Sequence, residues 1–323
     1  MVKRSLIAIL ILSVLSFSGS LFATVIFSLP PLENGNLSYE FSENWIYAVN
    51  DKDEATIIKY HVNNKVDAKG RKSILWNLEL EIPSEIDGYK VTTIGNNAFS
   101  DAIYGMVRSR DYELKSVTIP DSVTSIGNDA FNGHRQLVSV TIPSGVKKIG
   151  ARAFMSCMKL TSINIPDGIT EIEEGTFSSC YSLTSINIPD GVTSIGKNAF
   201  YLCRELTSVT LPGSIITIGD NAFAYCNILT SVTIPDSVTS IGNRAFAGCF
   251  SLKSVIIPDS VTSIGNYAFS RCPNLTSITI PDSVTFIGDK IFEHCIYPVI
   301  ITTEESYAYE YAGKNYYRRK IIE

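Results

Sequence analysis

Apolar and polar positions along most of this chain recur with a constant period of 23 residues. In residues 229–251 the period opens with Leu-Thr-Ser-Val-Thr-Ile. Strand alternation turns Val232 and Ile234 inward, and it turns Ser231 and Thr233 outward. A fixed period of this length predicts a stacked array of similar coils in which equivalent side chains form straight ladders.

Proline and cysteine keep the same register as the apolar positions. Proline ends each predicted strand because it has no N–H to donate, and an aspartate after it can hydrogen-bond the local backbone in a turn. The prolines are Pro120, Pro143, Pro166, Pro189, Pro212, Pro235, Pro258 and Pro281. The cysteines are Cys157, Cys180, Cys203, Cys226, Cys249, Cys272 and Cys295. The pattern predicts a repeat solenoid that is mostly β with short helical turns, a right-handed β/α-type superhelix of the leucine-rich-repeat kind with caps at both ends.

One phenylalanine per period is predicted to form the centre of the core. Ala245, Phe246 and Cys249 fall on one face of a helical turn, and Phe246 is the largest apolar group of its period. Its equivalents are Phe99, Phe131, Phe154, Phe177, Phe200, Phe223, Phe269 and Phe292. We expect these rings to stack as a column.

The cysteine column is predicted to consist of buried free thiols. Seven cysteines cannot all pair. Equivalent positions in neighbouring coils are about 4.8 Å apart, whereas a disulfide needs Cβ atoms about 3.8 Å apart. Cysteine also suits a buried slot as a small apolar residue. His134 occupies the equivalent position in the first regular unit, so we expect the column to approach solvent at that end.

The segments flanking the regular repeats break the period and define the predicted domains. Lys3 and Arg4 precede an apolar run that is typical of a secretory signal, although the uncharged stretch is also long enough to anchor the chain in a membrane. Either alternative predicts a secreted or cell-surface protein, with membrane contact only through this segment if it is uncleaved. The predicted units are a signal peptide or anchor (1–23), an N-terminal cap of short strands (24–81), a solenoid of about nine units (82–301) and a C-terminal cap helix and tail (302–323).

One unit departs from its neighbours in charge and in a glycine. Glu173 stands where the other periods have glycine. Glu171 occupies the ladder position that follows Lys148, so we expect these two side chains to pair across the stack.

Composition argues against catalysis and against nucleic acid as a partner. The formal charge is -5, which does not favour a polyanion. The histidines are His61, His134 and His294, and the last two lie seven periods apart, too far to share an active site. Each aspartate after a proline stands alone beside Ser or Gly, whereas calcium takes roughly six to eight oxygen ligands. The sequence contains no phosphate loop, nucleophile elbow or zinc-spaced cluster, so we predict a non-enzymatic protein without a cofactor or a metal site.

The outward face of the predicted strands is the better candidate for function. Its serine, threonine and asparagine side chains can serve as plain solubilising surface, or they can hold an extended protein partner through many weak contacts. An expanded loop between Phe99 and Leu114 offers a second candidate surface. The candidate partner-binding residues are Ser162, Asn164, Ser185, Asn187, Ser208, Thr210, Ser231 and Thr233 on the strands, and Tyr104, Arg108 and Arg110 in the loop.

The repeat resembles that of a known family. Residues 229–249, Leu-Thr-Ser-Val-Thr-Ile-Pro-Asp-Ser-Val-Thr-Ser-Ile-Gly-Asn-Arg-Ala-Phe-Ala-Gly-Cys, look like the 23-residue, Treponema-type repeat of the BspA-like surface leucine-rich-repeat proteins, and residues 86–95 resemble that family's first unit. The resemblance covers roughly residues 74–301. It implies an exported or surface protein that binds extracellular-matrix or cell-surface proteins as an adhesin. A structural spacer or assembly scaffold without a dedicated ligand is the alternative.

Overall fold

The computed structural model describes residues 39–42, 44–60, 75–100, 102–103, 106–107 and 112–322. The predicted signal or anchor segment and the loop residues Tyr104, Arg108 and Arg110 lie outside these ranges. Within them, no helix combines the length and the hydrophobicity that crossing a bilayer requires.

The N-terminal part of the described chain is a set of short strands joined to the first coils. β1 (Tyr39–Ser42), β2 (Trp45–Val49) and β3 (Glu54–Tyr60) are antiparallel neighbours. β3 then pairs in parallel with a strand of the first coil, so this segment extends a sheet of the solenoid. The remaining strands of this region are β4 (Leu75–Glu81), β5 (Glu85–Ile86), β6 (Tyr89–Ile94), β7 (Ala102–Ile103) and β8 (Met106–Val107).

All regular coils but the one around Asn164, which has an isolated bridge there, contribute a strand to a first set of parallel sheets, and this strand is the Ser-Val-Thr segment of the repeat. Parallel pairing places equivalent residues side by side, as with Val117 and Val140. Val117 and its equivalents are buried while their neighbours face outward, which confirms the predicted alternation. The strands are β9 (Tyr112–Thr118), β11 (Ser139–Thr141), β14 (Ser185–Asn187), β16 (Ser208–Thr210), β18 (Val232–Thr233), β20 (Ser254–Ile256), β22 (Ser277–Thr279), β24 (Val299–Thr302) and β25 (Arg319–Ile321).

A second set of parallel sheets comes from the Ser-Ile pair that precedes each glycine. These strands have only two residues, yet they pair coil to coil in register, for example Ile218 with Ile241. The inward isoleucine is buried in each of them. The strands are β10 (Ser125–Ile126), β12 (Lys148–Ile149), β13 (Glu171–Ile172), β15 (Ser194–Ile195), β17 (Thr217–Ile218), β19 (Ser240–Ile241), β21 (Ser263–Ile264) and β23 (Phe286–Ile287).

The third side of each coil is a run of tight turns around the phenylalanine column. The predicted helical turn is a series of hydrogen bonds between residues three apart, such as Cys249 N to Phe246 O at 3.3 Å. The rings stack from Phe99 to Phe292, and the Phe223–Phe246 pair has centroids 5.5 Å apart and planes tilted by only 6°. The predicted aromatic column is therefore confirmed, and each ring is essentially buried.

The thiols form a second column beside the rings and are all free, as predicted. Each thiol donates to the carbonyl oxygen of the phenylalanine one coil earlier, as Cys226 does to Phe200 at 3.4 Å. The expectation for His134 is wrong, because its side chain is fully buried. His134 Nε2 lies 2.9 Å from the carbonyl oxygen of Phe99 and Nδ1 lies 3.4 Å from Leu114 N, so the imidazole replaces the thiol and bonds two backbone groups.

Glycine lets successive coils approach closely at the end of each two-residue strand. A Cβ atom on Gly196 would lie 2.7 Å from the carbonyl oxygen of Ile172, and one on Gly219 would lie 2.9 Å from that of Ile195. Glu173 carries a side chain at this position. Both sets of sheets are interrupted between its coil and the preceding one, since β12 does not pair with β13 and β11 has no partner strand on that side.

The same interruption corrects the predicted ion pair. Lys148 Nζ lies 3.7 Å from Glu173 Oε1, rather than pairing with Glu171, and the two strands that carry Lys148 and Glu171 do not pair with each other. Across this junction the two coils are still hydrogen-bonded to each other through their tight turns, where Phe154 N donates to Thr176 O at 3.0 Å. The Phe154–Phe177 centroid distance of 5.9 Å exceeds the 5.3 and 5.6 Å of the adjacent pairs, so the coils are slightly separated there.

Aromatic side chains cover both ends of the ring column. Tyr60 lies 5.8 Å from Phe99 at the first end, with Trp45 beside it. At the other end Tyr317 meets Phe292 edge-on at 5.2 Å. Helix α1 (Tyr307–Lys314), inside the segment predicted to be helical, packs its buried alanines against this end, and Ser306 caps it by accepting a hydrogen bond from Tyr309 N at 3.0 Å.

Candidate protein-binding surface

The eight candidate strand residues lie together on the outward face of one sheet. Ser185 and Ser208 are direct register partners, as are Asn187 and Thr210, and Thr210 and Thr233. Asn164 joins the same row through an isolated bridge to Asn187. All eight side chains are exposed, and we call this surface the strand strip: Ser162, Asn164, Ser185, Asn187, Ser208, Thr210, Ser231 and Thr233.

The hydroxyls of the strand strip differ from those of a neighbouring column. Thr184 and Thr207, one position before the strip, donate to the carbonyl oxygens of Thr161 and Thr184 at 3.3 and 3.1 Å. The Thr184 and Thr207 hydroxyls therefore form hydrogen bonds between successive coils. The eight strip side chains form no hydrogen bond within the described part of the chain, so their donors and acceptors face solvent.

An exposed apolar residue borders the strand strip and was not singled out from the sequence. Ile256 takes the place of threonine in the outer column, with Thr279 as its register partner in the next coil. It is 70% exposed. Alignment of the repeats against one another reveals this substitution, because Ile256 interrupts the run of Thr and Asn that extends from Thr118 to Thr279 in this column. Exposed apolar side chains next to polar ones supply contact area in protein interfaces.

Groups capable of chemistry are scattered rather than gathered. Among the described residues, no three His, Cys, Asp or Glu side chains are close enough together to hold a metal ion. His134 is buried in the core and His294 is exposed. Burial raises the pKa of the Cys226 thiol well above its usual value, which keeps it in the unreactive protonated form. The arrangement supplies contact surface and no assembled reactive group in the described ranges.

The two sets of parallel sheets, the ring column and the strand strip define a leucine-rich-repeat β-solenoid of the kind found in bacterial surface proteins. The chain belongs to the BspA-type leucine-rich-repeat family. Its sequence matches the BspA type leucine rich repeat region in six copies, over residues 109–229 and 217–317.

Solved structures of similar proteins support this placement. A leucine-rich cell surface protein from Faecalibacterium prausnitzii is 32% identical, with 82% of this chain and 76% of that chain covered and a TM-score of 0.62. The leucine-rich-repeat protein TpLRR of T. pallidum is also 32% identical, over 67% of this chain and 91% of that chain, with a TM-score of 0.54. No curated protein matches the chain significantly.

Proposed function

We propose that this protein is a non-enzymatic, exported binding module of the adhesin type, which holds an extended extracellular-matrix or cell-surface protein on the strand strip. The observation that carries the proposal is the set of eight outward side chains whose hydrogen-bonding groups are unused within the described chain. A partner lying across several coils can satisfy one or two of these groups per coil, and many such contacts add up.

Ile256 strengthens the proposal by adding an apolar contact at one end of the polar strip. A polar row alone gains little free energy on binding, because each new hydrogen bond replaces one to water. Burial of an exposed isoleucine contributes a further favourable term through the hydrophobic effect. We therefore expect Ile256 to be the side chain whose truncation costs the most affinity.

Export is part of the proposal and is supported by the signal-like segment at residues 1–23 and by the surface location named for the F. prausnitzii protein. The loop residues Tyr104, Arg108 and Arg110 remain a second proposed contact region. Cell fractionation, with detection of the mature N-terminus by mass spectrometry, tests export directly. Retention of the whole chain in the cytoplasm would contradict it.

Surface plasmon resonance with immobilised laminin, fibronectin, collagen and mucin tests binding. We expect saturable binding to at least one of them and a loss of tenfold or more for Thr210→Lys, which puts a charged side chain into the middle of the strip. Glu205→Gln is the matched control, because it changes the net charge by the same amount at an exposed site on the turn side. Absence of saturable binding, or equal binding by Thr210→Lys, would favour the structural-spacer alternative.

A further inference from the structure

A second polar row lies on the other set of parallel sheets and ends at an exposed aromatic ring. Thr217, Ser240 and Ser263 are successive register partners, and Phe286 is the next residue in the same column. Phe286 is 52% exposed, in a position that the neighbouring coils fill with Ser or Thr. A shallow groove of about 400 Å³ follows this row.

The hydroxyls along the groove are available to a ligand. Ser237 and Ser260, a few residues earlier in the same coils, donate to backbone carbonyls of the preceding coil at 2.6 and 2.7 Å. Thr217, Ser240 and Ser263 have no such bond within the described chain. Two columns of the same residue types in these coils thus differ, because one links coils and the other faces the groove.

Asp220 also lines the groove and adds a carboxylate that is fixed in place. Asp220 Oδ1 accepts hydrogen bonds from Asn243 N at 2.6 Å and from Asn243 Nδ2 at 3.2 Å, which hold the carboxylate against the next coil, while Oδ2 has no hydrogen bond within the described chain. Asp220 is the single charged residue among those lining the groove, so an anionic ligand such as a nucleic acid or an acidic peptide is disfavoured.

The geometry points to a binding site for a neutral, linear glycan along the row from Thr217 to Phe286. Hydroxyls both donate and accept, which matches sugar hydroxyls, and a half-exposed ring offers an apolar face to the C–H side of a pyranose. Successive coils are about 4.8 Å apart, close to the length of one pyranose unit, so each sugar of an extended chain can meet one coil. This site lies on a different sheet from the strand strip and is independent of the proposed protein binding.

Native gel electrophoresis of the full-length protein in gels containing hydroxyethylcellulose, glucomannan or xylan tests the site. We expect at least one of the three polysaccharides to retard the protein. Phe286→Ser, which introduces the residue of the neighbouring coils, should weaken the interaction at least tenfold, and Phe286→Tyr should retain it. Phe250→Ser is the matched control, because Phe250 is also an exposed phenylalanine, but on the turn side, and its replacement should leave retardation unchanged.

The double variant Thr217→Ala/Ser240→Ala provides a second test that leaves Phe286 in place. It removes two solvent-facing hydroxyls without touching the backbone ladder, and we expect a loss of about tenfold with unchanged thermal melting. Migration unaffected by all three polysaccharides would overturn the proposal. Equal retardation of wild type and Phe286→Ser would overturn it as well.

Discussion

The Cys203 thiol donates a hydrogen bond of 3.3 Å to the carbonyl oxygen of Phe177, the ring-bearing residue of the preceding coil. Equivalent bonds recur along the stack, so the thiol column ties each coil to the backbone of the ring column. Burial raises the pKa of the Cys203 thiol. In the last coil, by contrast, the hydrogen-bonding interaction with the Cys272 side chain lowers the pKa of the partly buried Cys295.

We predict that Cys295 reacts with a thiol reagent in the native protein well before the other cysteines. Thiolates are the reactive species, and only Cys295 combines a lowered pKa with partial exposure. Peptide mapping by mass spectrometry after brief treatment with iodoacetamide measures the order of labelling. Rapid labelling of all seven cysteines without denaturant would show that the column is open to solvent.

Alkaline pH should destabilise the fold through the buried thiols. Burial raises the pKa of Cys249 from its usual 9.0 to about 12. Because the folded state holds this proton more tightly than the unfolded chain does, the stabilisation is fully present below about pH 9 and is lost as the pH rises towards 12. Urea unfolding at pH 8 and pH 10 should show a smaller pH-dependent loss for Cys249→Ala than for wild type, and equal losses would contradict the assignment.

Phe223→Ala should lower the free energy of unfolding by about 3–5 kcal/mol. Phe223 is fully buried between two stacked rings, so truncation removes contacts and leaves a cavity between coils. Phe250→Ala is the control, since this ring is 42% exposed, and its change should stay within about 0.5 kcal/mol. Urea unfolding curves measure the free energy of unfolding of both variants. A Phe223→Ala protein that unfolds like wild type would show that the ring column does not stabilise the fold.

Glu173→Gly should stabilise the protein by about 1 kcal/mol. Glycine at this position permits the close approach of coils seen at Gly196 and Gly219. Two added backbone hydrogen bonds would contribute roughly 1 kcal/mol each. The backbone entropy of glycine and the loss of the exposed Lys148–Glu173 ion pair offset part of this gain. Gly219→Glu is the reverse experiment and should destabilise. Hydrogen exchange of the residue 173 amide should slow in Glu173→Gly, because the equivalent amides of Gly150 and Gly196 donate to an isoleucine carbonyl of the preceding coil. Unchanged exchange would show that the glutamate does not hold the coils apart.

The period of the sequence was sufficient to predict the first sheet and the ring column, because strand alternation and a fixed repeat determine which side chains face inward. The second sheet was not predicted, since its two-residue strands carry no alternation to read. Left-handed backbone was also missed, because Leu202 and Tyr225 adopt φ near 60° with no glycine to signal it.

Departures from the repeat were harder to interpret than the repeat itself. His134 was expected near solvent, yet the expanded coil that carries Phe99 covers it. The number of extra residues in a coil does not show which neighbouring side chains that coil buries. Glu173 was recognisable in the sequence as the residue that replaces a glycine. The loss of sheet pairing beside it was not predictable, because pairing depends on the distance between the backbones of neighbouring coils. Ile256 and Phe286 are recognisable in the sequence as apolar residues at positions that neighbouring coils fill with polar ones. The structure adds that both side chains are exposed and therefore accessible to a ligand.

The absence of strand pairing beside Glu173 divides the repeat array into two parts that we expect to unfold separately. In a linear stack each coil is stabilised mainly by its two neighbours, so a weak interface limits how far cooperativity spreads. The coils up to Ile149 and those from Glu171 onward then form two blocks, which are joined mainly by backbone hydrogen bonds on the turn side. Under denaturant or mechanical tension we expect the two blocks to melt in separate steps, with the boundary at this glutamate.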